Sequence, residues 1–526
     1  MNFKPTHLSL SRLINQAIIT SSVLLASMSG SAQETPQRWF EEGRAAVERS
    51  LQWRGLAMAG RARNVILFVG DGMGVSTVTA ARIIEGQLRG ESGEENELYF
   101  ETFPNVALSK TYNVNAQVSD SAGTMTAMVT GIKTDAGVIS VNQNVSRGDC
   151  STQTDNQIRT FLERAEVRGL ASGVVSTARL THATPAANYA HSIERDFESD
   201  ADAAELLNAG DCVDIARQLV DFSSAIAGSN GLEVALGGGR RNFLPREVSD
   251  PETGAEGARL DGMDLTQTWL ESHSNSAYVW NQQQFEAIDP ASTDHLLGLF
   301  DPSHMQYEQD RPIDAAGEPT LAEMTAKAIE ILDRNEEGYY LMVEAGRIDH
   351  AHHANNPSRA LLDTIALSDA VRQAAEMVDL GETLIIVTAD HSHTFTIAGY
   401  PARGNPILGK VANGEKLTPT LAEDGMPYTT LGYINGPGHH YLPDATSADA
   451  NYSEAVNLEG RSNLSDVDTE DPGFFSESLV PLGSETHGGE DVAIYAVGPG
   501  SDLIRGVMEQ HVIFHVMMEA SQLQDR

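Results

Sequence analysis

The sequence predicts an α/β fold, a central and mostly parallel sheet flanked by helices, and three observations lead there. The runs Asn64-Val65-Ile66-Leu67-Phe68-Val69 and Thr383-Leu384-Ile385-Ile386-Val387 are apolar without polar alternation, the pattern of buried parallel strands. Strand-like runs alternate with helix-like ones along the whole chain. No Pro/Gly linker divides the 526 residues, so one large domain fits better than the three that length alone suggests.

Taken in order, the amino end reads as a secretory signal peptide over 1–32: Lys4 and Arg12 precede an apolar stretch over 13–26, and Gly30-Ser31-Ala32 offers small residues for cleavage. The single α/β domain then covers 33–526. Strands are expected at 64–69, 173–176, 233–236, 295–300, 339–343, 383–387 and 491–496, and helices near 155–168, 321–334, 357–378 and 510–520. Between 401 and 482 the pattern gives way to turns and acidic polar residues, which reads as a smaller insertion on the core. No other apolar run is long enough to span a bilayer, and the last residues, Gln522-Leu523-Gln524-Asp525-Arg526, are not the hydrophobic tail of a glycolipid anchor. A periplasmic or secreted enzyme without a membrane anchor is the expectation.

Chemistry-bearing residues follow several of these strands. Asp71 comes just after the first strand within Gly70-Asp71-Gly72-Met73-Gly74, at the edge where open α/β sheets bind ligands. A plain glycine-rich turn is the alternative, and as a dinucleotide fingerprint the segment fails, since Thr77 stands at the third glycine position. Asp349 and His353 are four apart and share a helix face, Asp390-His391 ends the 383–387 strand, and His487 lies in Thr486-His487-Gly488. Mixed carboxylate and imidazole ligands suit zinc. Asp120-Ser121-Ala122-Gly123 opens a run of small residues that can form a packed helix, and Ser121 near its positive end is either an ordinary cap or a nucleophile.

Together these segments resemble the alkaline phosphatase family. The likeness runs from about Asn64 to Met518 and includes Thr181-His182-Ala183-Thr184-Pro185, Ala190-His191-Ser192-Ile193-Glu194-Arg195, Val343-Glu344-Ala345-Gly346-Arg347-Ile348-Asp349-His350, Thr388-Ala389-Asp390-His391-Ser392-His393 and Glu485-Thr486-His487-Gly488-Gly489-Glu490-Asp491. The resemblance implies an alkaline phosphatase-like sheet with a crown-like insertion. It assigns Asp349, His353 and His487 to one Zn²⁺, and Asp71, Asp390, His391 and the Ser121 oxygen to a second. Asp71 would also bridge to Mg²⁺ beside Thr184 and Glu344, a hard oxygen set. Arg195 matches the phosphate-binding arginine; without the motif, a surface ion pair with Glu194 or Asp196 would be its ordinary reading.

The implied reaction is hydrolysis of phosphate monoesters, small molecules of broad specificity, through a phosphoserine on Ser121, with inorganic phosphate leaving last. Two metals would hold the attacking and leaving oxygens of an in-line displacement. Two positions depart from the enteric bacterial pattern, which has an aspartate and a lysine where this chain has His182 and His350, and so resemble the animal and marine-bacterial branch. His182 would touch a water on magnesium without being a direct ligand. His350, lacking a fixed charge, should loosen phosphate at alkaline pH and speed turnover. For a Ca²⁺ site of the animal relatives, Glu252, the Phe300 carbonyl and Asp301 align, while the fourth ligand falls near Asp310, Arg311 or Pro312. Cys150 and Cys212 match cysteines bridged in those relatives, and export favours a disulfide over two inert thiols. The crown-like insertion would serve a homodimer or be a solvated acidic loop, and both readings stay open.

Composition adds an environmental expectation. With 74 acidic against 35 basic residues the formal net charge is -39, and lysine occurs only at 4, 110, 133, 327, 410 and 416. Such a charge opposes nucleic acid and acidic membranes and is screened by salt, which suggests a halophilic or salt-tolerant protein over a merely acidic periplasmic one. Three other readings compete with the phosphomonoesterase. A phosphodiesterase is disfavoured by Arg195, and a sulfatase by the missing cysteine or serine-x-proline context after Ser121. The third, a non-catalytic phosphate or metal scavenger, is disfavoured by the full ligand set.

Overall fold

Ten strands form the sheet that carries the site. In chain order they are β1 Asn64–Gly70, β2 Asn105–Lys110, β3 Ala171–Arg179, β4 Val234–Gly238, β5 Ser276–Val279, β6 His295–Leu299, β7 Tyr339–Ala345, β8 Thr383–Ala389, β9 Val492–Val497 and β10 Gly506–Glu509. Across the sheet they run β10-β2-β9-β8-β1-β7-β3-β4-β6-β5. Every pairing is parallel except the two made by β9, which lies antiparallel between β8 and β2. The computed structural model describes residues 35–54, 60–414, 418–441 and 456–523, so the expected signal peptide at 1–32 lies outside the described residues.

β1, β7 and β8 are buried along their whole length, and helices cover both faces. One apolar core joins Val65, Leu67 and Val69 to Phe161, Phe514 and Met517, and the other joins Ile66 and Phe68 to Leu341, Val343, Leu361 and Leu367. Odd and even residues of β1 thus enter opposite cores, which is why its sequence shows no alternation. Four helices matter below: α1 Ser121–Thr130, α2 Phe161–Val167, α3 Arg347–His353 and α4 Pro357–Met377.

All seven expected strands are present, and three more, β2, β5 and β10, were not expected. They are short and partly exposed, so their sequence carries no long apolar run. The helix expected from 155 starts at Phe161, because Thr160 and Glu163 form a capping box there. Over 401–482 the described residues hold only short strands, among them Leu431–Gly436, which pairs with Phe395–Ile397 and Ser478–Pro481. At the amino end of β3, Glu166 and Glu233 flank one residue: Ser172 Oγ lies 2.5 Å from Glu166 Oε1, and its N–H donates to Glu233 Oε2 at 2.7 Å.

Candidate metal centre

Three adjacent strands deliver acidic residues to one level. Register pairs Gly70 with Ala345 on one side and with Ala389 on the other, so Asp71, the start of α3 and Asp390 emerge side by side at the carboxyl edge. Gly72, at φ +68°, turns the chain away at once, and a β-carbon there would collide with the His393 ring. α3 then places Asp349 and His353 on one face, and a short antiparallel pairing of His487 with His393 brings in the last histidine.

Two sets of donor atoms result. His353 Nε2 lies 3.4 Å from Asp349 Oδ1, His487 Nε2 lies 3.4 Å from the same oxygen, and the two imidazole nitrogens are 3.2 Å apart. A tetrahedral ion with ligands at about 2.0–2.1 Å has ligand–ligand edges of about 3.3–3.4 Å, so this triangle is one face of such a tetrahedron. In the second set, His391 Nε2 is 3.3 Å from both Asp71 Oδ1 and Asp390 Oδ2, and the Ser121 hydroxyl is 3.1 Å from that nitrogen and 3.4 Å from Asp71 Oδ1. The first set has three protein donors and leaves a fourth position; the second has four. Each imidazole offers Nε2 because Nδ1 faces a carbonyl that can only accept: Glu485 for His353 at 2.5 Å, Ser119 for His487 at 2.7 Å and Ser392 for His391 at 3.3 Å.

Buried polar atoms without partners converge beside them. Asp71 Oδ2, Asp390 Oδ2, Glu344 Oε1 and Thr184 Oγ1 are all out of water with no hydrogen bond, a costly arrangement unless a cation completes it. Asp71, His182 and Glu344 bring ligand atoms within 4.8 Å of one another. The electrostatics agree. Burial and then the neighbouring carboxylates raise Asp71 well above the ordinary range, and burial lifts Glu344 to about 7. Asp349 goes the other way: against burial, His353, His393 and His487 hold it well below the usual value. Buried carboxylates converging with imidazole nitrogens fit divalent cations.

Ser121 is the first residue of α1, and the cap is Asp120, which accepts the Gly123 N–H at 3.1 Å. Asp120 also takes the Gly137 N–H at 2.8 Å and Arg195 Nη1 at 3.1 Å. Arg195 therefore pairs across the site with Asp120, while Glu194 is held by Arg147. The other arginine arm donates to His182 Nε2 at 3.2 Å, leaving His182 Nδ1 on the side of Asp71 and Glu344. His350 Nδ1 accepts from Arg347 at 3.0 Å, and its ring packs on His304 and His182, with centroids 4.1 and 5.5 Å away.

Residues missed from the sequence form a second ring. His393 joins Asp349 Oδ1 at 2.8 Å to Glu485 Oε2 at 2.5 Å. Lying between two carboxylates, which outweigh its burial, it is pushed up to about 10. Its only signal was its place inside the Asp390-His391-Ser392-His393 segment. Asp120 stood in the quoted Asp120-Ser121-Ala122 motif with no role assigned to it, and His304 gave no signal.

Cys150 and Cys212 are bonded, with Cα atoms 5.4 Å apart, closing a loop that contains His182, Thr184 and Arg195. Of the positions expected for calcium, Asp301 is buried and Glu252 accepts from Arg240 at 2.7 Å. Asp310, however, is committed to Arg359 through two hydrogen bonds of 2.7 and 3.0 Å. Glu318 is raised well above its ordinary value by burial and then by Asp301, and its Oε1 is unpartnered.

Comparison with known proteins supplies the family. The family model "Alkaline phosphatase" matches residues 62–523. The tissue-nonspecific alkaline phosphatase isozyme of Gallus gallus is 42% identical over 504 residues, covering 94% of this chain and 91% of that one. The Homo sapiens isozyme is 41% identical over 498 residues, with 93% and 89% covered. The alkaline phosphatase of Gadus morhua is 41% identical over 493 residues, with 92% and 97% covered. Among solved structures, the alkaline phosphatase of Thermus thermophilus shares the fold with a TM-score of 0.61 at 23% identity, covering 89% of this chain and 93% of that one. That of the Antarctic bacterium TAB5 gives 0.58 at 21%, covering 89% and 100%. With donor sets of this geometry at the edge of such a sheet, and relatives of this likeness over almost its whole length, the chain belongs to the alkaline phosphatase family and is a phosphatase.

Proposed function

We propose that the protein hydrolyses phosphate monoesters at this edge with Ser121 as nucleophile, two Zn²⁺ and one Mg²⁺. The observation that carries the proposal is the pair of donor sets with tetrahedral edges, one of which includes the Ser121 hydroxyl. Asp349, His353 and His487 would hold one zinc, and Asp71, Asp390, His391 and Ser121 the other. Asp71, Glu344 and Thr184 would hold magnesium, with His182 beside it. When bound, the metals supply Lewis acidity that lowers the hydroxyl pKa and neutralises charge on phosphate and leaving oxygens.

The chain's own residues do the rest. Ser121 Oγ, its proton released to solvent, attacks phosphorus as the bond to the ester oxygen breaks, and the alcohol leaves with a proton from solvent. Water then attacks the phosphoserine, the P–Oγ bond breaks, and Ser121 and inorganic phosphate are restored. Arg195, anchored by Asp120, presents its guanidinium to two non-bridging oxygens, which favours a monoester over a diester. α1 adds its positive end at the attacking oxygen.

The proposal extends to context. Export to the periplasm or medium fits the disulfide, salt tolerance fits the charge of -39, and the 401–482 segment is a crown-like insertion through which a homodimer would form. A Ca²⁺ bound by Glu252, Asp301 and the Phe300 carbonyl would take Glu318 as its fourth ligand. The central test is phosphate release from an aryl phosphate monoester at alkaline pH in molar salt. Activity should vanish on chelation, return with zinc and magnesium together, and be absent from Ser121→Ala. A Ser121→Ala protein that keeps its turnover would sink the nucleophile assignment.

A further inference from the structure

We infer that Glu485 is the positioning residue for one zinc site, holding His353 directly and Asp349 through His393 while touching neither metal nor substrate. The inference rests on the proposed assignment of Asp349, His353 and His487 to zinc. Two of the ligands are tied to Glu485 by different parts of that residue. Its carbonyl accepts the Nδ1–H of His353 at 2.5 Å, which fixes the tautomer that offers Nε2, and its N–H donates to the His353 carbonyl at 2.9 Å. Its carboxylate holds His393 Nδ1 at 2.5 Å, and the far nitrogen of that ring grips Asp349 Oδ1 at 2.8 Å. His487 is two residues along the chain and is paired across a short ladder with the same His393.

The carboxylate itself is immobilised. Its other oxygen accepts both the N–H and the hydroxyl of Thr394 at 2.6 Å each, and the residue is 1% exposed. Its carboxylate bonds go to His393 and Thr394 and to no ligand of the second donor set. No contact of Glu485 reaches Ser121, Asp390 or His391. Partners of this kind are worth 10–100-fold in metal affinity elsewhere, because they orient the ligand and raise its basicity.

The experiment is a zinc-binding titration of the purified full chain against a chromogenic chelator, for the wild type, Glu485→Gln and His393→Asn. Thermal melting of the metal-stripped proteins accompanies it. The expected result is that one zinc equivalent in Glu485→Gln weakens by about 10–100-fold, while the other equivalent and the metal-free melting temperature stay as in the wild type. His393→Asn, which cuts the link to Asp349 and leaves Glu485 in place, should weaken the same equivalent, so the inference remains testable even if the Glu485 variant does not fold. It is overturned if both equivalents keep wild-type affinity, or if both weaken in step with a loss of metal-free stability. A wild type that binds fewer than two zinc ions would overturn the reading of the metal centre, and this inference with it.

Discussion

Replacing Glu166 by glutamine should stabilise the protein in alkali and only there. Glu166 is 1% exposed; burial pushes it from the ordinary 4.5 to about 7. Glu233, on the other side of Ser172, is lifted to about 8 by burial and then by the Glu166 charge. No cation pairs with either in the hydrogen bonds they make, which go to Ser172, Ser229 and Asn230. A carboxyl raised in the folded state binds more protons than in the unfolded chain. Its stabilising contribution is therefore complete below about 4.5 and is lost as pH rises through about 7 for Glu166 and about 8 for Glu233. At about 1.4 kcal/mol per unit, holding Glu166 ionised in the fold costs ~3 kcal/mol. Glutamine keeps the shape and can still bond Ser172 and Ser229. For a domain of this size ~1 kcal/mol corresponds to about 1 °C. Melting curves with metals saturating should thus coincide near pH 5 and separate by about 3 °C near pH 9, the variant being the more stable. A gap of equal size at both pH values, or a less stable variant at pH 9, would refute the argument.

Three other predictions concern surface, release and anchoring. Melting temperature should rise between low and molar salt as the charge of -39 is screened; a flat profile would end the halophile reading. His350→Lys should turn over more slowly and be inhibited more strongly by phosphate at alkaline pH, because a fixed charge would replace a ring that burial and Arg347 keep neutral. Steady-state kinetics with added phosphate would decide it, and unchanged values would rule it out. Asp120→Ala removes both the cap of α1 and the anchor of Arg195. It should cost ~1 kcal/mol of stability and raise KM for aryl phosphates, and a normal KM would show that Arg195 needs no anchor.

Much of the fold was legible wherever burial leaves a continuous signature. β1, β7 and β8 read directly from their apolar runs, and the parallel sheet followed from their alternation with helices. β2 could not be found that way, since its residues alternate between core and solvent over six positions and include Ser109 and Lys110. In the site, side chains at strand exits were legible because topology alone puts them at one edge. The residues that hold those side chains were not. Glu485 meets His393 across 92 residues, and no spacing rule connects them. Asp120 was visible within its motif, but its grip on Arg195 comes only from the fold, and without it Glu194, which is held by Arg147, or Asp196 was the ordinary partner.

The place of β1 at the middle of the sheet has a consequence for biosynthesis. Val69 meets Glu344 on one side and Thr388 on the other, so its nearer partner lies 275 residues further along the chain. At roughly 5–20 residues per second, the seven residues of this strand wait on the order of 15–55 s after synthesis before either neighbour exists. Contacts of such long range also fold slowly once both ends are present. A nascent chain ending before Tyr339 should therefore leave this strand open to protease or chaperone. Asp71, the residue shared by two of the proposed metal sites, is then among the first made and the last to find its ligand partners.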